Sequence, residues 1–122
     1  MRNQPRYSLF KNARYALEGL AEVFATETSF KIEAILSIVV WVGLLFVDIP
    51  LIAKAALGLS MLFVMIAEIA NSAIERVVDL VTQEHHPLAK QAKDAGAAMV
   101  FLSVLFTIFV WAVTIYFLVI SQ

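Results

Sequence analysis

The sequence predicts an all-α integral membrane protein, with three transmembrane helices preceded by an N-terminal amphipathic helix lying at the interface. Three observations predict it. Hydrophobic residues make up 61% of the 122-residue chain and charged residues only 16%, where a soluble domain has roughly 45–50% apolar residues. The apolar residues gather into three runs, each long enough to cross a bilayer core. The charges collect mainly in the segments between those runs. The length is that of a single domain, residues 1–122. A net charge of −1 leaves no basic excess to hold nucleic acid. With no cysteine, a disulfide scaffold and a thiolate metal site are excluded.

The first element covers about residues 6–26. Phe10, Ala13, Leu17, Leu20, Ala21 and Phe24 recur at three- and four-residue spacing, while Lys11, Arg14, Glu18 and Glu22 fall on other faces. Such a stripe suits a helix in the interface plane, or one packed on other protein. Mixed charges from Met1 to Lys31 do not read as a signal peptide. The first span covers about 31–48. It is free of charge from Ala34 to Val47 and ends at Asp48 and Pro50.

The second span, about 52–80, carries Lys54 at its mouth, and the short connection before it makes a tight hairpin. The third, about 90–120, has no charge from Ala95 to Ile120. Basic residues mark the cytoplasmic side of a membrane protein. Arg2, Arg6, Lys11, Arg14 and Lys31 precede the first span, and Arg76, Lys90 and Lys93 lie between the second and third. Lys54 alone lies opposite. The N-terminus is therefore expected in the cytoplasm and the C-terminus outside.

The second span holds the residues that point to chemistry. Glu68, Asn71, Glu75 and Asp79 follow one another at steps of three, four and four, so they share one face of a helix. A charge at the centre of a span costs about 2.5–3.5 kcal/mol on insertion scales, so this face is expected to line a bundle interior or a cleft. At about 1.5 Å per residue, Glu68 lies about 21 Å along the helix from Lys54, in the cytoplasmic half. Glu75 and Asp79 then reach the interface. A single intramembrane acid can simply bind a neighbouring helix. Three acids together repel one another and ask for a cation, and hard oxygen ligands suit magnesium bridging carboxylates to phosphates.

Glu27, at the mouth of the first span, pairs with Glu75 as a candidate second ligand. Glu33 by itself reads as a solvated acid. The connection from Thr82 to Asp94 adds Glu84, His85, His86, Lys90, Lys93 and Asp94. Adjacent histidines do not have the spacing of a helical zinc pair, and alone this segment reads as a solvated turn. Lys93 can offer a point charge to a phosphate. The glycines at 19, 43, 58 and 96 form neither a GxxxxGK loop nor a GxGxxG turn.

The run Glu68-Ile69-Ala70-Asn71-Ser72-Ala73-Ile74-Glu75, continued by Val77-Val78-Asp79, resembles the ExxNSAIE signature of the prokaryotic diacylglycerol kinase family. Ala92-Lys93-Asp94-Ala95-Gly96-Ala97-Ala98 resembles its AKDxxSA segment. Tyr15, Gly19-Leu20, Glu27, Phe30 and Glu33 match its N-terminal pattern. The resemblance covers essentially the whole chain. It implies a homotrimer in the bacterial inner membrane, with a periplasmic C-terminus and active sites between subunits near the cytoplasmic face. It implies transfer of the γ-phosphate of ATP, with Mg2+, to the primary hydroxyl of 1,2-diacylglycerol.

The resemblance also implies site residues. Glu68 matches the general base, and Glu27 and Glu75 match the metal ligands. Nucleotide contacts fall on Ser8, Tyr15, Glu27, Glu75, Glu84, His85, His86, Lys93 and Asp94. Lipid contacts fall on Glu68, Asn71, Ala13, Phe30, Glu33 and Ala97. Three positions depart from the family pattern. Ser8 stands where an arginine is common, with Arg6 or Lys11 as substitutes. Leu17 and Glu18 stand in the region of a tryptophan. Ala97 stands where a serine is usual.

Three other readings compete. Relatives in the same family phosphorylate undecaprenol. Ser72, where that branch usually has threonine, favours diacylglycerol. A cation-coupled transporter subunit would place the acid near the midplane, with a pathway to both sides. A membrane scaffold would use Glu68 and Asn71 only to bind helices together.

Overall fold

The computed structural model describes residues 8–121. The expectations for Arg2 and Arg6, and for the first two residues of the N-terminal helix, lie outside the described residues. Among the described residues four α-helices follow in order: α1 (Leu9–Thr26), α2 (Thr28–Phe46), α3 (Leu51–Val81) and α4 (Pro87–Ile120). Three of them, α2, α3 and α4, are long and apolar enough to cross a membrane.

Each boundary has a local cause. Ser8 caps α1, its hydroxyl accepting from the Lys11 amide at 3.5 Å, and serine is a favoured residue at this position. A single extended residue, Glu27, separates α1 from α2. Its N–H donates to the Val23 carbonyl at 2.8 Å, and its carbonyl accepts from Lys31 N at 3.0 Å. The break falls in the polar run Thr26-Glu27-Thr28-Ser29, where Thr26 Oγ1 turns back to the Glu22 carbonyl at 2.8 Å.

Pro50 closes the connection after α2, since proline disfavours helix in the residue before it. Its carbonyl accepts from Ala53 and Lys54 to start α3. The connection between α3 and α4 is shorter than the sequence reading expects. His86 Nδ1 accepts from Leu88 N at 3.1 Å, and Pro87 takes the first helical position, where its missing N–H costs nothing. Lys90, Lys93 and Asp94 therefore stand on the first turns of α4 rather than in a loop.

α3 and α4 form the main antiparallel pair, α2 packs on α3, and α1 packs on α2. Small residues let the backbones approach: Ala53, Ser60 and Ala67 on α3, and Gly96 and Ser103 on α4, are buried. A polar tie crosses the three spans around Ser60. Its hydroxyl donates to the Leu57 carbonyl and accepts from Trp111 Nε1 at 3.1 Å. Thr107 Oγ1 donates to the Ser60 carbonyl at 2.8 Å, and Trp41 Nε1 donates to the Gly58 carbonyl at 3.1 Å.

Outward faces are apolar, with Phe46 84% and Ile52 81% exposed. Surfaces of that kind belong against lipid or another chain rather than water. The stripe of α1 is bare as well, Phe10 being 86% exposed. Only Val23 of α1 enters the core, against Phe30 and Ala34 of α2 and Met65 and Ile69 of α3.

Candidate active site

The polar stripe of α3 turns toward protein rather than lipid. Glu68, Asn71 and Glu75 are partly buried, while Asp79, a turn further on, is exposed. Glu68 does not stand alone: the charges of Glu33, Glu27 and Glu75 all reach it. The elbow at Glu27 makes this possible by bringing the end of α1 and the start of α2 beside α3. Glu33, which by itself reads as a solvated surface acid, is partly buried and belongs to this group.

The carboxylates are held by specific partners. Asn71 Nδ2 donates to Glu75 Oε1 at 3.5 Å. Arg76, the next residue on α3, grips the elbow. Its guanidinium pairs with Glu22, donates to Thr26 Oγ1 at 3.1 Å, and meets Glu27 Oε1 at 3.3 Å. In the sequence, Arg76 counts only toward membrane orientation. Its partners lie about fifty residues away in the chain, so the one available signal is a basic residue set within the acid stripe, directly after Glu75.

A cleft of about 400 Å³ opens between the end of α3 and the start of α4. Asp79, Glu84, His85, His86, Lys93 and Asp94 line it. Lys93 Nζ pairs with Asp79 Oδ1 at 2.7 Å, and Lys90 Nζ pairs with Asp94 Oδ2 at 2.6 Å. The cleft thus brings together the acids, imidazoles and ammonium that the sequence expects around a nucleotide. Ser8, Tyr15, Glu27 and Glu75 do not line it. Ser8 caps α1, and Tyr15 carries Arg14 over its ring at 5.8 Å. Among the expected lipid contacts, Ala13 and Ala97 are exposed, whereas Phe30 is buried in the core at 3% exposure.

Among the described residues no three His, Asp or Glu side chains gather into a metal cage. Magnesium does not require one. It keeps several waters and takes one or two carboxylates together with substrate phosphates. Glu27 and Glu75 fit that pattern: both are hard oxygen donors, and both act on Glu68. In each, one oxygen meets a neighbouring side chain.

A family model for prokaryotic diacylglycerol kinase matches residues 14–115. This chain belongs to the prokaryotic diacylglycerol kinase family. It is 33% identical over 108 residues to a diacylglycerol kinase of Escherichia coli (strain K12), covering 88% of both chains. It is 35% identical over 109 residues to a diacylglycerol kinase of Haemophilus influenzae, covering 89% of this chain and 92% of that one. An undecaprenol kinase of Bacillus subtilis is 37% identical over 91 residues, covering 75% of this chain and 74% of that one. The molecule is a lipid kinase of the diacylglycerol kinase family, and a multi-pass bacterial membrane protein. Both lipid substrates are represented at similar identity, so identity does not choose between them.

Proposed function

We propose that this kinase transfers the γ-phosphate of ATP to the primary hydroxyl of 1,2-diacylglycerol, yielding phosphatidic acid at the cytoplasmic face of the bacterial inner membrane. The observation that carries this reading is that one helix, α3, carries both the acid group around Glu68 and, further along, Asp79 in the cleft at its end. A lipid hydroxyl arrives from the bilayer and a nucleotide from water, and α3 runs from one to the other.

In this reading Glu68 is the general base. Its carboxylate takes the hydroxyl proton as the lipid oxygen bonds to the γ-phosphorus and the bond to the ADP oxygen breaks. Glu27 and Glu75 would hold Mg2+, which would neutralise phosphate charge. Lys93 exchanges Asp79 for a phosphate oxygen, and Glu84, His85, His86 and Asp94 surround the nucleotide. Phosphoryl transfer asks for this positioning and charge neutralisation rather than for covalent chemistry. Asn71, Glu33, Ala13 and Ala97 contact the lipid substrate, with Phe30 supporting them from the core. Ser8 and Tyr15 reach the nucleotide of an adjoining subunit in a homotrimer. Residues 1–122 act as one kinase domain, with the N-terminus cytoplasmic and the C-terminus periplasmic.

The second reading, undecaprenol as acceptor, is favoured by the Bacillus subtilis relative. Against it stands Ser72, but that side chain is only 7% exposed, so any discrimination by it acts through packing. Purified protein assayed with ATP, Mg2+ and each lipid separately tests both. The proposal predicts faster turnover of diacylglycerol and loss of turnover on chelation of the metal. Faster turnover of undecaprenol replaces the substrate, and turnover of neither removes the proposal.

A further inference from the structure

We infer that Gly96 is a positioning residue for Glu75: its missing side chain lets the Asn71 carboxamide lie against α4 and hold that carboxylate. The inference rests on the reading of Glu75 as a magnesium ligand, and adds to it a residue on the opposite helix.

Gly96 is buried where α4 crosses the polar stripe of α3. A Cβ at this position would collide with Asn71 Oδ1, and would stand 3.3 Å from Asn71 Cγ and 3.7 Å from Ile74 Cδ1. Gly19 and Gly43, by contrast, have open space where a Cβ would be. Asn71 Oδ1 is out of contact with solvent and, among the described residues, accepts no hydrogen bond. The other end of the amide, Nδ2, donates to Glu75 Oε1 at 3.5 Å.

These facts have one explanation. An ionised carboxylate only accepts, so the amide must present its N–H groups to Glu75. Its oxygen is then driven toward α4, where it meets the bare Cα of Gly96. Buried polar oxygens without a donor are uncommon, and this one marks the amide as held by what lies at its other end. With a methyl group at 96 the carboxamide cannot keep this rotamer, and when it turns away Glu75 Oε1 loses its donor. Partners that orient a metal ligand typically change metal affinity 10–100-fold.

A small residue at 96 also lets two helices approach closely, so the test must separate positioning from packing. Full-length protein in detergent, with a non-hydrolysable ATP analogue, is titrated with Mn2+ and free ion is read by electron paramagnetic resonance. Gly96→Ala and Asn71→Ala should each weaken Mn2+ binding by about 10-fold. The double variant should bind no more weakly than Asn71→Ala alone, because the group with which the methyl collides is gone. If Gly96→Ala does not fold, the double variant should recover the folding and Mn2+ binding of Asn71→Ala. A methyl at 96 that harms the Asn71→Ala background as much as the wild type overturns the inference. Glu75→Gln separates the two layers. If it weakens Mn2+ binding while Gly96→Ala does not, the positioning role alone is lost. If it leaves Mn2+ binding unchanged, the ligand assignment falls and the positioning role falls with it.

Discussion

Glu75 and Arg76 are neighbours in the chain with different tasks. Glu75 belongs to the acid stripe and is held by Asn71, while Arg76 reaches across to Glu22, Thr26 and Glu27. The stripe was legible in the sequence because helical spacing puts its members on one face, and because acids are conspicuous in an apolar run. Arg76 was not legible as a site residue. Its role depends on the elbow at Glu27, whose extended backbone no proline or glycine announces. Both sides of the Arg76 ion pairs are a third or more exposed, so solvent screening keeps each of them weak. Arg76→Gln should accordingly change global stability little. It should speed amide hydrogen exchange around residues 23–30, where α1 meets α2. Unchanged exchange there would show that the guanidinium does not hold the elbow.

At the scale of elements, hydropathy located the spans well because long charge-free runs have no competing reading. It misplaced the start of α4, since it marks where the apolar stretch begins and not where a helix is capped. His86 and Pro87 set that start. His86 is thus both a helix cap and a lining residue of the cleft. His86→Asn keeps a capping oxygen, so it should retain stability while lowering nucleotide affinity. His86→Ala should lose both, the stability by about 0.5–2 kcal/mol. Thermal unfolding together with ATP titration separates the two roles. The Ser60 tie makes a second prediction. Thr107→Val removes the hydroxyl that reaches the Ser60 carbonyl, and membrane hydrogen bonds of this kind average about 0.6 kcal/mol. Unfolding in mixed micelles should show a loss of that size, with phosphoryl transfer intact.

Over the whole molecule, the sequence conveyed the class of fold, and the ExxNSAIE resemblance conveyed the family. How much of the site one chain holds could not be read there. Hydrophobic periodicity shows that a face is apolar, but not whether lipid or another copy covers it. The structure divides the expected nucleotide residues into a set lining the cleft and four outside it: Glu27 and Glu75 among the acids around Glu68, and Ser8 and Tyr15 at α1. The homotrimer reading accounts for the pair at α1. Native mass spectrometry of the detergent-extracted protein should give three copies, and a monomer that retains full activity would contradict it.

The proposed transfer of a proton from the lipid hydroxyl to Glu68 is put to the test by comparing wild type and Glu68→Gln, both in mixed micelles with diacylglycerol, ATP and Mg2+, while recording oligomeric state. Loss of a general base typically costs about 10²–10⁴-fold. Phosphatidic acid formation should fall by a factor of that order, with assembly unchanged. Near wild-type turnover in Glu68→Gln, or loss of activity only through broken assembly, would contradict it.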